Sequence, residues 1–173
     1  AHFEKDIRTA IKHFPGHGNS RTDSHKGLAD VSKYWTKEEL QPFKILIDEG
    51  KVDAIMTAHI INRQLDESGL PATLSEKMVT NLLRKQLGYD GVVISDDMQM
   101  HAISSFYGFD ESIKRAINAG VDILIFSNNI DKATLYSAAN IHSSIRKMVL
   151  RGDIKKERID ESYRRIMALK SKR

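Results

Sequence analysis

The sequence predicts an α/β fold in which parallel strands alternate with helices, and three observations carry that expectation. Val92-Val93-Ile94 and Ile123-Leu124-Ile125-Phe126 are short, continuous and rich in β-branched residues, as in parallel strands buried on both faces. Helical patterns with their own start and stop residues lie between such runs. The segments Gly50-Lys51-Val52-Asp53-Ala54, Gly88-Tyr89-Asp90-Gly91-Val92 and Gly120-Val121-Asp122-Ile123 resemble one another, each ending a helix and turning into a strand. Units of about 30 to 45 residues repeated in this way argue for a parallel sheet covered by helices.

In chain order, Ala10-Ile11 leading into His13-Phe14 gives the first strand. Thr36 and Glu39 read as a T-x-x-E capping box ahead of Leu40, Phe43 and Ile47, with Gly50 where a closing glycine belongs. Ala54-Ile55-Met56 is the second strand. Ser75 is placed to cap a helix carrying Val79, Leu82 and Leu83, closed by Gly88 before the strand at Val92. Asp110 opens a further helix with Ile113 and Ile117, closed by Gly120 ahead of the fourth strand. Two final helices are expected at about Lys132 to Leu150 and Lys155 to Lys170, parted by Arg151-Gly152-Asp153. No low-complexity stretch or linker interrupts residues 1–173, which read as a single domain.

With 173 residues, 40% hydrophobic and 29% charged, the chain is long enough for one domain with a core. No apolar run reaches the roughly 20 residues of a membrane span. The first residues lack a basic n-region and an apolar h-region, so no signal peptide is expected. The chain opens without Met inside a helical-looking stretch, which points to processing or truncation and leaves bacterial cytoplasm and export both open. The absence of cysteine excludes disulfides, thiolate metal sites and a thiol nucleophile. The net charge is +4, and residues 146–173 hold eleven Lys/Arg against four Asp/Glu. Because Ile159, Tyr163 and Ile166 recur at helical spacing between these charges, the basic tail reads as a solvated helix face and not as a nucleic-acid surface.

Polar residues cluster just after each strand: His13, His17; Thr57, His59, Asn62; Ser95, Asp96, Asp97; Ser127, Asn128, Asn129. In parallel α/β folds the carboxyl ends of the strands are where ligands bind. Asp23-Ser24-His25 follows Lys12-His13-Phe14-Pro15-Gly16-His17-Gly18, and a carboxylate two residues from an imidazole can fix its tautomer and make it a proton donor and acceptor. A plain hydrogen bond within the loop fits the same spacing. Asp96 ends a buried strand, where a rigidly held carboxylate can serve as nucleophile, metal ligand or hydroxyl binder. Of Asp96 and Asp97, one is expected to face the pocket and the other to anchor the loop or cap the next helix. The histidines show no H-E-x-x-H or comparable spacing, so no metal and no cofactor are expected. His101 and His142 fall in helices as surface or packing residues, and Met98 and Met100 as packing.

Taken together, K-H-F-P-G-H-G with D-S-H, and Ser95-Asp96-Asp97-Met98, resemble the β-N-acetylglucosaminidases of glycoside hydrolase family 3. The resemblance continues through Met56-Thr57-Ala58-His59, Pro71-Ala72-Thr73-Leu74-Ser75, Ala119-Gly120-Val121-Asp122 and Arg158-Ile159-Asp160, and so covers nearly the whole chain. It implies a (β/α)8 TIM-barrel type fold, of which this chain supplies about the last four βα units and C-terminal helices. By the same resemblance Asp96 is the nucleophile, His25 the general acid/base, Asp23 its partner, and Lys12 and His13 hydrogen-bond sugar hydroxyls. The implied reaction is retaining removal of terminal β-linked N-acetylglucosamine through a glycosyl-enzyme, with peptidoglycan fragments as substrate. An imidazole acid/base would also repel an anionic acceptor such as phosphate less than a second carboxylate would.

Four strands are half of a barrel, and an isolated half would expose two sheet edges. The chain is therefore expected to need an N-terminal half-barrel or self-association. The competing expectation is a half-barrel with too few subsites to catalyse, serving a structural or sugar-binding role.

Overall fold

The computed structural model describes residues 5, 7–18, 28–129 and 135–171. Its strands are β1 (Ala10–Phe14), β2 (Ala29–Asp30), β3 (Ala54–Thr57), β4 (Ile60–Ile61), β5 (Val92–Asp97) and β6 (Ile123–Ile125). Four of them form one sheet in the order β1-β3-β5-β6, each neighbouring pair parallel. Strand order that follows chain order, with a helical crossover between neighbours, is the pattern of a (β/α)8 barrel, here with four of the eight strands. The two-residue strands β2 and β4 pair separately and in parallel. They are too short to leave a period-2 signature in the sequence.

The core lies where sheet and helices meet. Ile11, Ile55 and Val93 are register partners across β1, β3 and β5, and Ile55 and Val93 are fully buried. Phe14, Phe43, Val79, Leu83 and Ile103 pack around them. Removing one such side chain, as in Leu83→Ala, would cost about 2–5 kcal/mol. A second cluster, Ile113, Ile117, Met148 and Ile154, fastens the C-terminal helices to the sheet. All three residues of β6 are only half-buried, as suits a strand at the sheet's end. Among the described residues no helix is long and apolar enough to cross a membrane.

The helices follow the expected punctuation, with instructive exceptions. Gly50, Gly88 and Gly120 all adopt positive φ at helix ends (66°, 74° and 117°), a conformation that glycine reaches without a Cβ penalty. Ser75 Oγ accepts from the Met78 amide at 3.1 Å and starts a π-helix, Lys77–Gln86, that buries Val79, Leu82 and Leu83. The capping box does not form. Thr36 precedes and Glu39 lies within a 3-10 turn, Lys37–Leu40, with no side-chain cap from Thr36, and helix α1 (Gln41–Asp48) starts behind it with Pro42 in its first turn. Glu39 is drawn instead to the Gly18 amide, 3.1 Å away. After the short α2 (His101–Ser104), α3 (Phe109–Ala119) begins one residue before Asp110, whose carboxylate receives the Ser144 hydroxyl. Helix α4 (Ala138–Arg151) starts six residues later than expected, because Ser137 caps it by accepting from the Asn140 amide.

Helix α5 (Lys156–Ser171) corrects the reading of the basic tail. Tyr163 points outward, 63% exposed, while Arg158 and Arg165 turn in. They converge on Asp122, whose side chain is fully buried at the start of β6. Arg84 Nη2 lies 2.7 Å from Oδ2, Arg158 Nη2 2.9 Å from Oδ1, and the Ser162 hydroxyl and Val93 amide complete the shell. Burial alone would push this carboxyl up. The Arg84 guanidinium and the donors of Val93, Ser162 and Arg158 outweigh it and hold the group below the ordinary carboxylate range.

Candidate active site at the carboxyl ends of the strands

Asp96 and His13 meet at the carboxyl end of the sheet although they are 83 positions apart and on strands separated by β3. His13 Nε2 lies 3.8 Å from Asp96 Oδ2, and both side chains are partly open to solvent. The other carboxylate oxygen, Oδ1, accepts from the Asp97 amide at 2.9 Å, which fixes the carboxylate plane and turns Oδ2 toward His13. A ligand hydroxyl at the side of the pair can reach both atoms at ordinary hydrogen-bond distance.

Asp97 takes the anchoring role. Its Oδ1 accepts from the amides of Gln99 (3.1 Å) and Ser127 (3.2 Å), and its Oδ2 from the Ser127 hydroxyl. Gln99 Oε1 then accepts from the Asn128 amide at 2.7 Å, and Asn128 clasps the Tyr136 backbone through both ends of its side chain. The loop after β6 is thereby tied to the strand that carries Asp96. Asp97 does not cap a helix, since α2 starts only at His101.

Lys12 precedes His13 on β1 and is exposed; with His17 the two line a cleft of about 560 Å³ on the β1 side of the sheet. The Lys12–His13 and Phe14–Pro15 peptide bonds are cis. Gly16, at φ 116°, lies so close to Glu39 that a Cβ there would come within 2.6 Å of the glutamate Cβ. Asp23 and His25 lie outside the described residues. The roots of their segment are within them. Trp35 Nε1 donates to the Pro15 carbonyl at 2.9 Å, Glu39 holds the Gly18 amide, and Val31 donates its amide to the Ile61 carbonyl.

His59, Thr57 and Asn62 were expected among the polar side chains at the strand ends, and all three are buried. His59 lies beneath the site. Burial pushes its imidazole below the ordinary value of 6.5, against the field of the Asp96 charge. Met98 and Met100 are buried, and His101 and His142 are exposed. Among the described residues no group of three or more His, Asp or Glu is arranged to hold a metal ion.

Residues 2–169 match the model of the glycosyl hydrolase family 3 N terminal domain. The chain belongs to glycosyl hydrolase family 3. Among relatives in this family, a beta-hexosaminidase of Tolumonas auensis is 41% identical over 126 residues, 71% of this chain and 37% of that protein. Beta-hexosaminidase A of Pseudoalteromonas piscicida is 34% identical over 180 residues, 96% of this chain and 30% of that protein. The solved family 3 beta-N-acetylglucosaminidase from a Paenibacillus species superposes with a TM-score of 0.84 at 39% identity, covering 97% of this chain and 31% of its own. The beta-N-acetylglucosaminidase from Thermotoga maritima gives 0.78 at 34% identity, over 94% and 34%. The chain thus spans about a third of the length of each of these four relatives.

Sequence reasoning passed over two residues that shape this family 3 site. Glu39 reads as half of a capping box, and the only signal of its other use is the pair of glycines, Gly16 and Gly18, on either side of His17, which invites close approach by a neighbour. Trp35 is the single tryptophan, and its partner is a carbonyl 20 positions away that no pattern reveals.

Proposed function

We propose that this chain is one domain, the catalytic C-terminal half of the barrel of a family 3 β-N-acetylhexosaminidase. It removes terminal β-linked N-acetylglucosamine with retention, on substrates of the peptidoglycan-fragment class. The observation that carries the reading is the Asp96–His13 pair at the carboxyl end of a parallel sheet. The printed names of the relatives and neighbours, beta-hexosaminidase and beta-N-acetylglucosaminidase, support the same reading.

In the proposed reaction Asp96 Oδ2 attacks the anomeric carbon as the bond to the leaving oxygen breaks. His25, oriented by Asp23, delivers its proton to that oxygen. Water then cleaves the glycosyl ester of Asp96 and gives a proton back to His25, restoring both groups. Lys12 and His13 hold sugar hydroxyls beside the carboxylate. Preorganisation of Asp96 by the Asp97 amide means that little rearrangement is needed as charge leaves the nucleophile.

The test is hydrolysis of a chromogenic β-N-acetylglucosaminide by the chain and by Asp96→Asn and His25→Ala. Expected are turnover by the parent, background rates for Asp96→Asn, and a loss of about 10²–10⁴-fold for His25→Ala. Activity that survives Asp96→Asn would overturn the assignment.

A second reading has its own observation. Among the described residues the four-stranded sheet ends at β1 and at β6, with one edge of each strand outside the ladder. On this reading the chain alone is a non-catalytic half-barrel that binds sugar or serves a structural role, and turnover requires an N-terminal half-barrel or a second copy. Hydrolysis absent from parent and variants alike, yet present after an N-terminal half is added, is its signature.

A further inference from the structure

The backbone ladder that joins β3 to β5 stops short of the site. Its register pairs are Ala54 with Val92, Ile55 with Val93 and Met56 with Ile94, while β5 runs on to Asp97. Asp96 therefore stands on a strand end that has left the β3 ladder behind. At that point a side chain takes over. His59 Nε2 lies 3.0 Å from the main-chain oxygen of Asp97, the carbonyl that also receives the Met100 amide at 3.0 Å.

The histidine is itself held. Its Nδ1 is 2.9 Å from Thr73 Oγ1, which in turn lies 2.8 Å from Thr57 Oγ1, the last residue of β3. His59 is 1% exposed and both threonines are fully buried. A carbonyl can only accept, so the proton of the neutral imidazole sits on Nε2 and Nδ1 accepts from Thr73. Thr57, Thr73, His59 and the Asp97 carbonyl thus form a connected chain from the end of β3 to the end of β5, beside which the Ala58 carbonyl lies 3.1 Å from Thr73 Oγ1 and the Ile94 carbonyl 3.4 Å from Thr57 Oγ1.

We propose that His59 is a positioning residue: it replaces the missing β3–β5 ladder and fixes the strand end so that Asp96 faces His13. The proposal rests on the reading of Asp96 as nucleophile. His59 touches no substrate and exchanges no proton with it.

Two variants separate this from a mere packing role. In His59→Phe the ring volume stays and the donor goes. In His59→Gln the side-chain amide can reach the position of Nε2 and donate to the same carbonyl. Hydrolysis of the chromogenic glucosaminide and amide hydrogen exchange are measured on the parent and on both. For His59→Phe the expected result is a fall in kcat of about 10²-fold with KM within about threefold, since displacement of a reacting group near 1 Å costs that much. His59→Gln is expected to recover most of the loss. The Asp97 amide, which donates to Asp96 Oδ1, should exchange at least tenfold faster in His59→Phe and return toward the parent's rate in His59→Gln, with exchange in α5 unchanged.

If His59→Phe keeps the parent's kcat, or both variants fall alike, or Asp97 exchange does not respond, the proposal is overturned. An inactive parent would sink the functional reading instead, and Asp97 exchange would still decide whether His59 holds the strand end. Should His59→Phe not fold, Thr73→Val takes its place: it removes the donor to Nδ1, and the same pattern with a smaller fall is expected.

Discussion

The indole Nε1 of Trp35 donates to the carbonyl oxygen of Pro15 across 2.9 Å, and the two residues bracket the segment that carries Asp23 and His25. The bond is buried, so its loss is felt as an unsatisfied carbonyl. Trp35→Phe should cost about 1–3 kcal/mol in urea unfolding. If the bond sets the roots of the proton-transfer segment, kcat falls further for substrates with a poor leaving group than for activated ones.

Gly16→Ala should be worse than an ordinary surface change. The backbone there has φ 116°, and the new methyl would meet Glu39 Cβ at 2.6 Å. A destabilisation of about 1–3 kcal/mol is expected from the strained backbone conformation. Glu39→Gly removes the contact at its own cost, including the bond to the Gly18 amide, so Gly16→Ala is compared on both backgrounds. It should cost less on the Glu39→Gly background, where only the φ penalty is left, and an equal cost on both would refute the steric part.

Asp122→Ala leaves Arg84, Arg158 and Arg165 around an empty centre. Removing one partner from a buried ionic cluster typically costs about 3–5 kcal/mol, and the chain should lose stability by that order in denaturant titration. Hydrolysis measured well below the melting temperature should change far less, because the cluster sits at the opposite ends of the strands from Asp96.

The pH dependence of stability carries the mark of His59. Its imidazole is depressed below 6.5 in the folded chain, so the unfolded chain takes up that proton first as acid is added. The stability contributed by the neutral buried ring is therefore complete above about pH 6.5 and is lost below it, at up to about 1.4 kcal/mol per pH unit. His59→Phe should flatten the slope between pH 6.5 and 5. The buried carboxyls of Asp66 and Asp122 are also held low, below 3.8, so the stability they contribute is lost only in stronger acid, below about pH 3.8. An unchanged slope in the variant would mean that His59 is not buried and neutral.

The edges of β1 and β6 should be visible in sedimentation. The chain is expected to self-associate or to take up an N-terminal half-barrel, since unpaired strand edges attract further strands. A monodisperse monomer that ignores an added N-terminal half would contradict this.

Three of the four sheet strands, β3, β5 and β6, were legible because each is a short apolar run behind a helix-ending glycine, and β1 from its apolar start at Ala10-Ile11; these signals are local. Asp96 was legible for the same reason: a carboxylate directly after Val92-Val93-Ile94-Ser95 has to emerge at the strand's end. What escaped depends on contacts between distant residues. The T-x-x-E pattern at Thr36 predicts a cap, but Gly18, 21 positions before Glu39, claims that side chain. Asp122 reads as a turn residue until arginines 36, 38 and 43 positions away converge on it. His59 was legible as a polar residue at a strand end, whereas its use from beneath the site follows only from the register at which β3 and β5 part.

The Asp122 knot joins the π-helix, β5, the start of β6 and α5 at one end of the sheet, and the Asp96 carboxylate projects from the other. Foundation and workshop are thus on separate floors. Loops around Asp96 can be exchanged, in a laboratory or over generations, without reopening the joint on which the molecule stands. Changes of substrate preference should therefore be cheap to explore here, with melting temperature holding steady while the choice of leaving group drifts.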